Sequence, residues 1–110
     1  MKHRIRDENG PTVVAFEGDV DLESSPEVRK ILLDCLGRTS SLLVDLSAVT
    51  YIDSSGVASL VESFQSARKK GRNFALVAVS GSVLSVLRLG RLDKVFTIYD
   101  TLEDGLEKIG

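Results

Sequence analysis

The stretch "SLLVDLSAVTYI", residues 41–52, constrains the fold more than any other part of the chain. Its first half, from Leu42 to Leu46, is continuously apolar except for Asp45. A run of this length and composition is typical of a strand that is buried on both faces, as in a parallel sheet covered by helices. Asp45 is a carboxylate within such a strand, so we expect it to be hydrogen-bonded or to lie near the end of the strand.

The segments on either side of this strand alternate between strand and helix patterns. Asn9-Gly10 is a strong turn signal and predicts a hairpin within "HRIRDENGPTVVAFEG". The next helix starts near Ser24 or Ser25, with Pro26 in its first turn and Glu27 spaced for a capping box with Ser24, and it ends at Gly37. The apolar residues of this helix recur at helical spacing: Val28, Ile31, Leu32, Cys35 and Leu36.

The second half of the chain continues the alternation. A second helix carries the apolar stripe Val57, Leu60, Val61 and Phe64 and ends near Gly71. It is followed by a buried strand in "NFALVAV", a short helix closed by Gly90, a short strand in "KVFTIYD", and a terminal helix with Thr101 and Asp104 spaced for a capping box. We therefore predict one α/β domain over residues 1–110, with a mixed sheet of four to five strands, an N-terminal hairpin and about four helices.

Charge and cysteine content exclude some functional classes. The chain has 14 basic and 16 acidic residues and a net charge of −2, which argues against nucleic-acid binding. The basic cluster at residues 68–72 suits a solvated helix end. The single cysteine rules out an intramolecular disulfide, and no apolar run approaches a signal peptide or a membrane span. We expect a cytoplasmic protein without direct membrane insertion.

The segment Asp53-Ser54-Ser55-Gly56 joins the buried strand to the second helix, at the sheet edge where ligands of α/β proteins usually bind. Asp53 or Ser54 can cap this helix, and the spacing alone is equally consistent with a simple helix start. If one of them caps, Ser55 lies in the first turn, on a polar face that also holds Ser59, Glu62, Ser63 and Ser66. Ser55 would then be accessible, Gly56 would let a partner approach closely, and a phosphate would find free backbone N–H groups.

Catalysis and cofactor binding find little support in the sequence. The one histidine, His3, is far along the chain from every serine at a helix start, so a Ser-His-Asp triad is not expected. There is no nucleotide phosphate-binding loop and no Cys/His cluster for a metal. A phospho-aspartate receiver would need acidic residues at the end of its first strand, where this chain offers only Glu17. We expect no enzyme activity, no cofactor and no metal.

Three pieces of the sequence, in order, resemble STAS domains, specifically bacterial anti-sigma-factor antagonists. The first is "VVAFEGDVDLESSPEVRKIL", which contains Gly18-Asp19-Val20-Asp21 before a helix. The second is "LLVDLSAVTYIDSSGVASLV", and the third is "GRNFALVAVSGSVLSVLRLGRLDKVFTIYDTLEDGL". The resemblance covers roughly residues 4 to 108. Because the Asp-Leu-Ser pattern that starts at Asp45 is shared with this family, the resemblance implies a structural role for Asp45, which we expect to anchor the loop that follows.

The resemblance implies a partner-switching protein. In this family the antagonist binds an anti-sigma factor that is also a serine kinase, is released when that kinase phosphorylates it, and is reset by a metal-dependent serine phosphatase. By resemblance the phosphorylated residue is Ser55, with Ser54 as the second choice, and Asp21 belongs to the docking surface. The predicted partner-binding residues are Asp21, Asp53, Ser54, Ser55, Gly56 and Ser59.

A second role exists within the same family. Stand-alone STAS domains are also cytoplasmic subunits of ABC transporters that move lipids between bacterial membranes, where the same surface binds the ATPase subunit. In that role Ser55 would be a contact residue without a phosphorylation cycle. The sequence leaves both roles open.

Overall fold

A computed structural model describes residues 1–109 and contains nine helices and strands within that range. The strands are β1 (Lys2–Asp7), β2 (Thr12–Val20), β3 (Ser41–Ile52), β4 (Asn73–Val77) and β5 (Ile98–Tyr99). The helices are α1 (Ser25–Leu36), α2 (Ser54–Lys69), α3 (Gly81–Leu89) and α4 (Leu102–Lys108), with a 3₁₀ turn at Leu92–Lys94. The element order agrees with the order predicted from the sequence.

The five strands form one mixed sheet in the order β1-β2-β3-β4-β5. β1 is antiparallel to β2, and all other neighbours are parallel. Asn9 and Gly10 have φ angles of 55° and 121°, the left-handed values that a tight hairpin requires. The N-terminal hairpin and the mixed sheet are therefore confirmed.

Helices cover both faces of the sheet, as the apolar run in β3 predicts. α1, α2 and α3 pack on one face, where Leu42 and Val44 of β3 join the larger core. α4 packs on the opposite face over Leu43 and Val77. Because alternate residues of β3 face two different cores, nearly every position in its first half must be apolar.

Asp45 stabilises an irregularity inside β3, not the start of a loop. Its Oδ1 accepts a hydrogen bond from the Ser47 N–H at 2.9 Å. The register between β2 and β3 shifts here: Ala15 pairs with Asp45, but Glu17 pairs with Ala48. At this point β3 has one extra residue, a β-bulge. A second shift follows, where Gly18 pairs with Val49 and Asp19 with Tyr51, and the strand continues in the sheet to Ile52.

The predicted capping box of α1 does not form. Ser24 precedes α1, but its side chain makes no capping hydrogen bond to it; its Oγ donates to the Asp19 carbonyl at 2.9 Å. The last strand is short, as predicted: β5 has two residues, and Phe96 lies before it and packs edge-on against Phe64, with ring centroids 5.5 Å apart.

The buried surface of α2 is wider than its apolar stripe. Leu60 is 1% exposed, and Val57, Val61 and Phe64 pack against the same core, as predicted. The sequence pattern places Ser59 and Ser63 on the solvent face, but both are buried. The reason is that α1 lies against this side of α2: the Ser59 Oγ donates to the Ser25 carbonyl of α1 at 3.1 Å.

Gly56, in the first turn of α2, lies against the end of β2. A Cβ atom at this position would be 2.5 Å from the Val20 carbonyl oxygen and 2.6 Å from the Ile52 side chain. Real Cβ atoms do not come this close to backbone atoms, so any larger residue must push α2 away from the sheet. The absence of a side chain at position 56 therefore sets the distance between α2 and β2.

We expect Gly56→Ala to lower the free energy of unfolding by about 1–3 kcal/mol, because it overpacks this contact. The matched control is Gly81→Ala in the first turn of α3, where a Cβ atom would have open space. That change should leave stability unchanged or raise it by up to about 1 kcal/mol. Denaturant unfolding of the two variants measures the difference, and equal stabilities would show that α2 does not need the glycine.

Candidate functional site

The candidate site lies where β2 and β3 end at the same edge of the sheet. The Asp53 N–H donates to the Val20 carbonyl at 3.2 Å, which brings the end of β3 beside the loop between β2 and α1. The start of α2 and residues 21–24 of this loop therefore form one continuous surface. This is the sheet edge at which ligands of α/β proteins usually bind.

The Asp53 carboxylate organises this surface. Its Oδ1 accepts hydrogen bonds from the N–H groups of Ser55 and Gly56, at 3.0 and 3.1 Å, and from the Ser55 hydroxyl at 2.5 Å. Its Oδ2 accepts from the Leu22 N–H at 3.2 Å. The Ser55 hydroxyl first, and then the Gly56 N–H, lower the pKa of Asp53 below its usual value. A single carboxylate thus caps α2 and ties the neighbouring loop to it.

The two serines have different environments. Of the two predicted capping candidates, Asp53 caps the helix, and Ser54 is an exposed residue in the first turn. Ser55 is only half-buried, so it is less accessible than expected. The expectation of free backbone N–H groups for a phosphate on Ser55 is also wrong, because Asp53 already accepts from the N–H groups of Ser55 and Gly56.

Asp21 belongs to the same edge, but its carboxylate is used within its own loop. Its Oδ1 accepts from the N–H groups of Glu23 and Ser24, at 3.1 and 3.0 Å. These bonds form a tight turn before α1 and fix the direction of the loop. Asp21 therefore shapes the surface, and the next residue, Leu22, makes the link to Asp53.

Two of the predicted partner contacts face inward. Gly56 is buried against Val20, and Ser59 is 4% exposed, with its hydroxyl donating to the carbonyls of Ser25 and Ser55. The sequence predicts a solvent-exposed polar surface on the side of α2 that carries these two residues. Small residues packed between two helices cannot be distinguished by sequence from small residues that face solvent. Both residues position the site, and neither side chain is available to a docked protein.

The site also contains apolar residues that the sequence did not single out. Leu22 is 76% exposed and Tyr51 is 51% exposed, although both are large apolar or aromatic side chains. Large exposed side chains of this kind often provide binding energy in protein interfaces. A sequence signal could have identified Leu22 as a candidate contact residue: it is a leucine between two acidic residues, Asp21 and Glu23, in a polar turn.

A Ser-His-Asp triad is not assembled at this edge. His3 lies on β1, where its Nδ1 is 3.1 Å from the Met1 carbonyl oxygen and its ring neighbours Phe16. Over residues 1–109 there is no group of three metal-ligating side chains. In the same range, every helix is too short or too polar to cross a membrane.

The lowered pKa of Asp53 gives a testable pH dependence. The folded carboxylate is stabilised relative to the unfolded one, so this contribution is present above the unfolded pKa of about 4 and is lost as the pH falls through the lower folded pKa. Ser55→Ala removes the largest cause, so we expect the pKa of Asp53 to rise toward its unfolded value and less stability to be lost as the pH falls between the two pKa values. Carbon-13 NMR of the Asp53 carboxyl group measures the change.

Ser54→Ala is the control for this titration, because the bonds that lower the Asp53 pKa come from Ser55, Gly56 and Leu22. It should leave the pKa of Asp53 unchanged. An identical titration in the Ser55→Ala and Ser54→Ala variants would contradict the hydrogen bond between the Ser55 hydroxyl and Asp53.

Comparison with known proteins places this site in a family. The family model described as "STAS domain" matches residues 3–105. The chain is 27% identical over 103 residues to the anti-sigma-F factor antagonist RsfB of Mycobacterium tuberculosis, covering 93% of this chain and 84% of that protein. It is 26% identical over 94 residues to the anti-sigma-B factor antagonist of Bacillus subtilis, covering 86% of each.

The fold agrees with these sequence matches. The crystal structure of an anti-sigma factor antagonist from Mycobacterium paratuberculosis superposes with a TM-score of 0.86 at 28% identity, covering 96% of this chain and 91% of that one. The family match spans β1 to α4 and includes the whole edge around Asp53. The chain belongs to the STAS domain family, in the group whose relatives are named anti-sigma factor antagonists.

Proposed function

We propose that this protein binds an anti-sigma factor that is also a serine kinase, and that phosphorylation of Ser55 releases it. The docking surface in this proposal consists of the loop at Asp21 and Leu22 together with Asp53, Ser54 and Ser55. Relatives named as antagonists of anti-sigma factors support the class of partner. The single observation that carries the proposal is the hydrogen bond from the Ser55 hydroxyl to the Asp53 carboxylate.

Phosphorylation would turn this attraction into repulsion. The kinase transfers the γ-phosphoryl group of ATP: a bond forms between phosphorus and the Ser55 Oγ, the bond to the ADP oxygen breaks, and the hydroxyl proton leaves to a base of the kinase. The product has about two negative charges where a donor to Asp53 had been. The serine phosphatase reverses the step when water attacks phosphorus and the Oγ–P bond breaks.

The consequences of this charge are local. Asp53 bonds to the Ser55 and Gly56 N–H groups and, through Leu22, to the β2–α1 loop. A dianion beside that carboxylate disturbs the part of the surface that would contact the kinase, while the core beneath α2 consists of apolar residues such as Leu60. The modified protein should therefore stay folded while its docking surface changes.

We expect Ser55→Asp to weaken binding to the kinase-type anti-sigma factor at least tenfold, or about 1.4 kcal/mol. Ser55→Ala should still bind but should not be released by ATP. Ser54→Asp is the matched control, with the same new charge on an exposed neighbour, and it should retain most of the binding. The measurement is affinity capture from native-cell extract, followed by titration of the recovered partner with each variant.

The identity and behaviour of the partner decide between the two family roles. A serine kinase retained by the wild type and by Ser54→Asp, but not by Ser55→Asp, is the expected result. An ABC-transporter ATPase retained equally by all three would contradict the proposal and make the protein a transport subunit. Each of these proteins should still unfold in one cooperative transition well above the temperature of the binding assay, so that loss of binding is not loss of fold.

Leu22 should contribute apolar contact to the same interface. We expect Leu22→Ala to weaken binding of the anti-sigma factor by more than about 1 kcal/mol, since a 76%-exposed leucine would be covered on docking. Its effect on stability should stay within about 0.5 kcal/mol. Leu89→Ala is the control, because Leu89 is 87% exposed but lies at the far end of α3. Equal affinities of the two variants would place the interface elsewhere.

A further inference from the structure

A shallow groove between α1 and α2 brings together a serine, an arginine and a glutamate. Its volume is about 280 Å³, and its lining includes Ser55, Arg29 and Glu62. The Arg29 Nε forms a salt bridge with the Glu62 carboxylate across the two helices. Both side chains are about half exposed, 54% and 50%, so neither is fixed by burial. Ser55 thus lines the same groove as the Arg29 guanidinium, which can exchange its ion pair with Glu62 for another anion.

The position of Ser55 makes this groove the natural place for a phosphoryl group. The Ser55 Oγ now lies 2.5 Å from the Asp53 Oδ1 and donates to it. A phosphate has no hydroxyl proton to donate there at neutral pH, and it repels the carboxylate. Rotation of the serine side chain to another staggered position moves the Oγ away from Asp53, and the groove is an open space that Ser55 already lines.

The helix geometry places Arg29 within reach. α1 and α2 both start at the same sheet edge, and the bond from Ser59 to the Ser25 carbonyl fixes their register. Arg29 is one turn beyond Ser25, Ser55 is one turn before Ser59, and both residues line the same groove. Side chains of a helix lean toward its N-terminus, so Arg29 leans toward Ser55.

We propose that Arg29 binds the phosphoryl group on Ser55 and leaves its ion pair with Glu62 to do so. An arginine fork binds phosphate oxygens bidentately and more strongly than it binds an exposed carboxylate. The exchange frees the Glu62 carboxylate on the outer surface of α2. Phosphorylation would therefore add charge at Ser55 and leave the existing charge of Glu62 unpaired, beside the docking surface. This inference rests on the proposed phosphorylation of Ser55.

The test uses protein that carries phosphoserine at position 55, installed during synthesis so that no kinase is needed. Phosphorus-31 NMR measures the second pKa of the phosphoserine, which is ordinarily about 6. Its value reflects the charged groups on the surrounding elements, which are Asp21, Glu23, Arg29, Asp53 and Glu62. The four anions raise this pKa, and a bound arginine lowers it.

We expect Arg29→Gln to raise the second pKa of the phosphoserine by roughly 0.5 or more. Lys30→Gln is the matched control, because it removes the same charge one residue away on an exposed position of α1 and should change the pKa much less. Glu62→Gln frees Arg29 and should lower the pKa further. Arg29→Lys should restore part of the effect of Arg29→Gln, since it keeps the charge without the fork.

Equal pKa values in the Arg29→Gln and Lys30→Gln proteins, or no change in Glu62→Gln, would overturn the role of Arg29. That result would leave the partner-switching proposal intact, because it concerns only where the phosphate rests. Conversely, a kinase that never modifies Ser55 would contradict the proposed function without altering this titration. Unfolding curves verify that each variant is folded, as expected for exposed positions.

Discussion

The hydrogen bonds of the Asp53 carboxylate are the interactions on which the candidate site depends. One oxygen caps α2 and accepts from the Ser55 hydroxyl, and the other accepts from the Leu22 N–H. Three features of the edge are therefore coupled through one side chain: the start of the helix, the position of the neighbouring loop and the orientation of the serine. A change of charge at Ser55 is felt by all three because they share the same acceptor.

The close packing of Gly56 makes this arrangement possible. The Asp53 N–H bonds to the Val20 carbonyl, and the bare Cα of Gly56 lets α2 begin directly beside the same carbonyl. α2 thus starts immediately after β3, with no intervening loop that could absorb a disturbance. Each position of the Asp-Ser-Ser-Gly segment has a separate structural role, since Asp53 caps, Ser54 faces solvent, Ser55 bonds to the cap and Gly56 allows the contact with β2.

Burial could be predicted from the sequence where it follows from periodicity. The apolar run in β3 indicated a strand covered on both faces, and the stripe containing Leu60 indicated the core side of α2. Asn9-Gly10 identified the hairpin because few other residues adopt left-handed φ angles so readily. These signals are local, and the topology followed from their order.

Prediction failed where tertiary contacts decide the environment of a residue. Ser59 has the composition of a surface residue, and only the neighbouring α1, 34 positions earlier at Ser25, shows that it is buried. Ser24 has the spacing of a capping box, but the turn around Asp21 takes its hydroxyl. Leu22 has the sequence context of a turn, and its exposure depends on how Asp53 holds that turn.

The buried contacts and the exposed contacts of α2 lie on different sides of the helix, which would allow the exposed surface to change without unfolding the domain. The contacts that hold α2 to the sheet lie on its buried side, at Gly56, Leu60 and Ala67. The polar contacts that would respond to a phosphate lie at its exposed edge, at Asp53, Ser55 and the ion pair of Arg29 with Glu62. Since the two sets share no side chain, a change of partner at the exposed edge costs little of the free energy that maintains the fold. The partner-switching cycle proposed for this protein would require this separation between a rigid apolar side and an exchangeable polar side, because its partners would have to distinguish two forms of one folded domain.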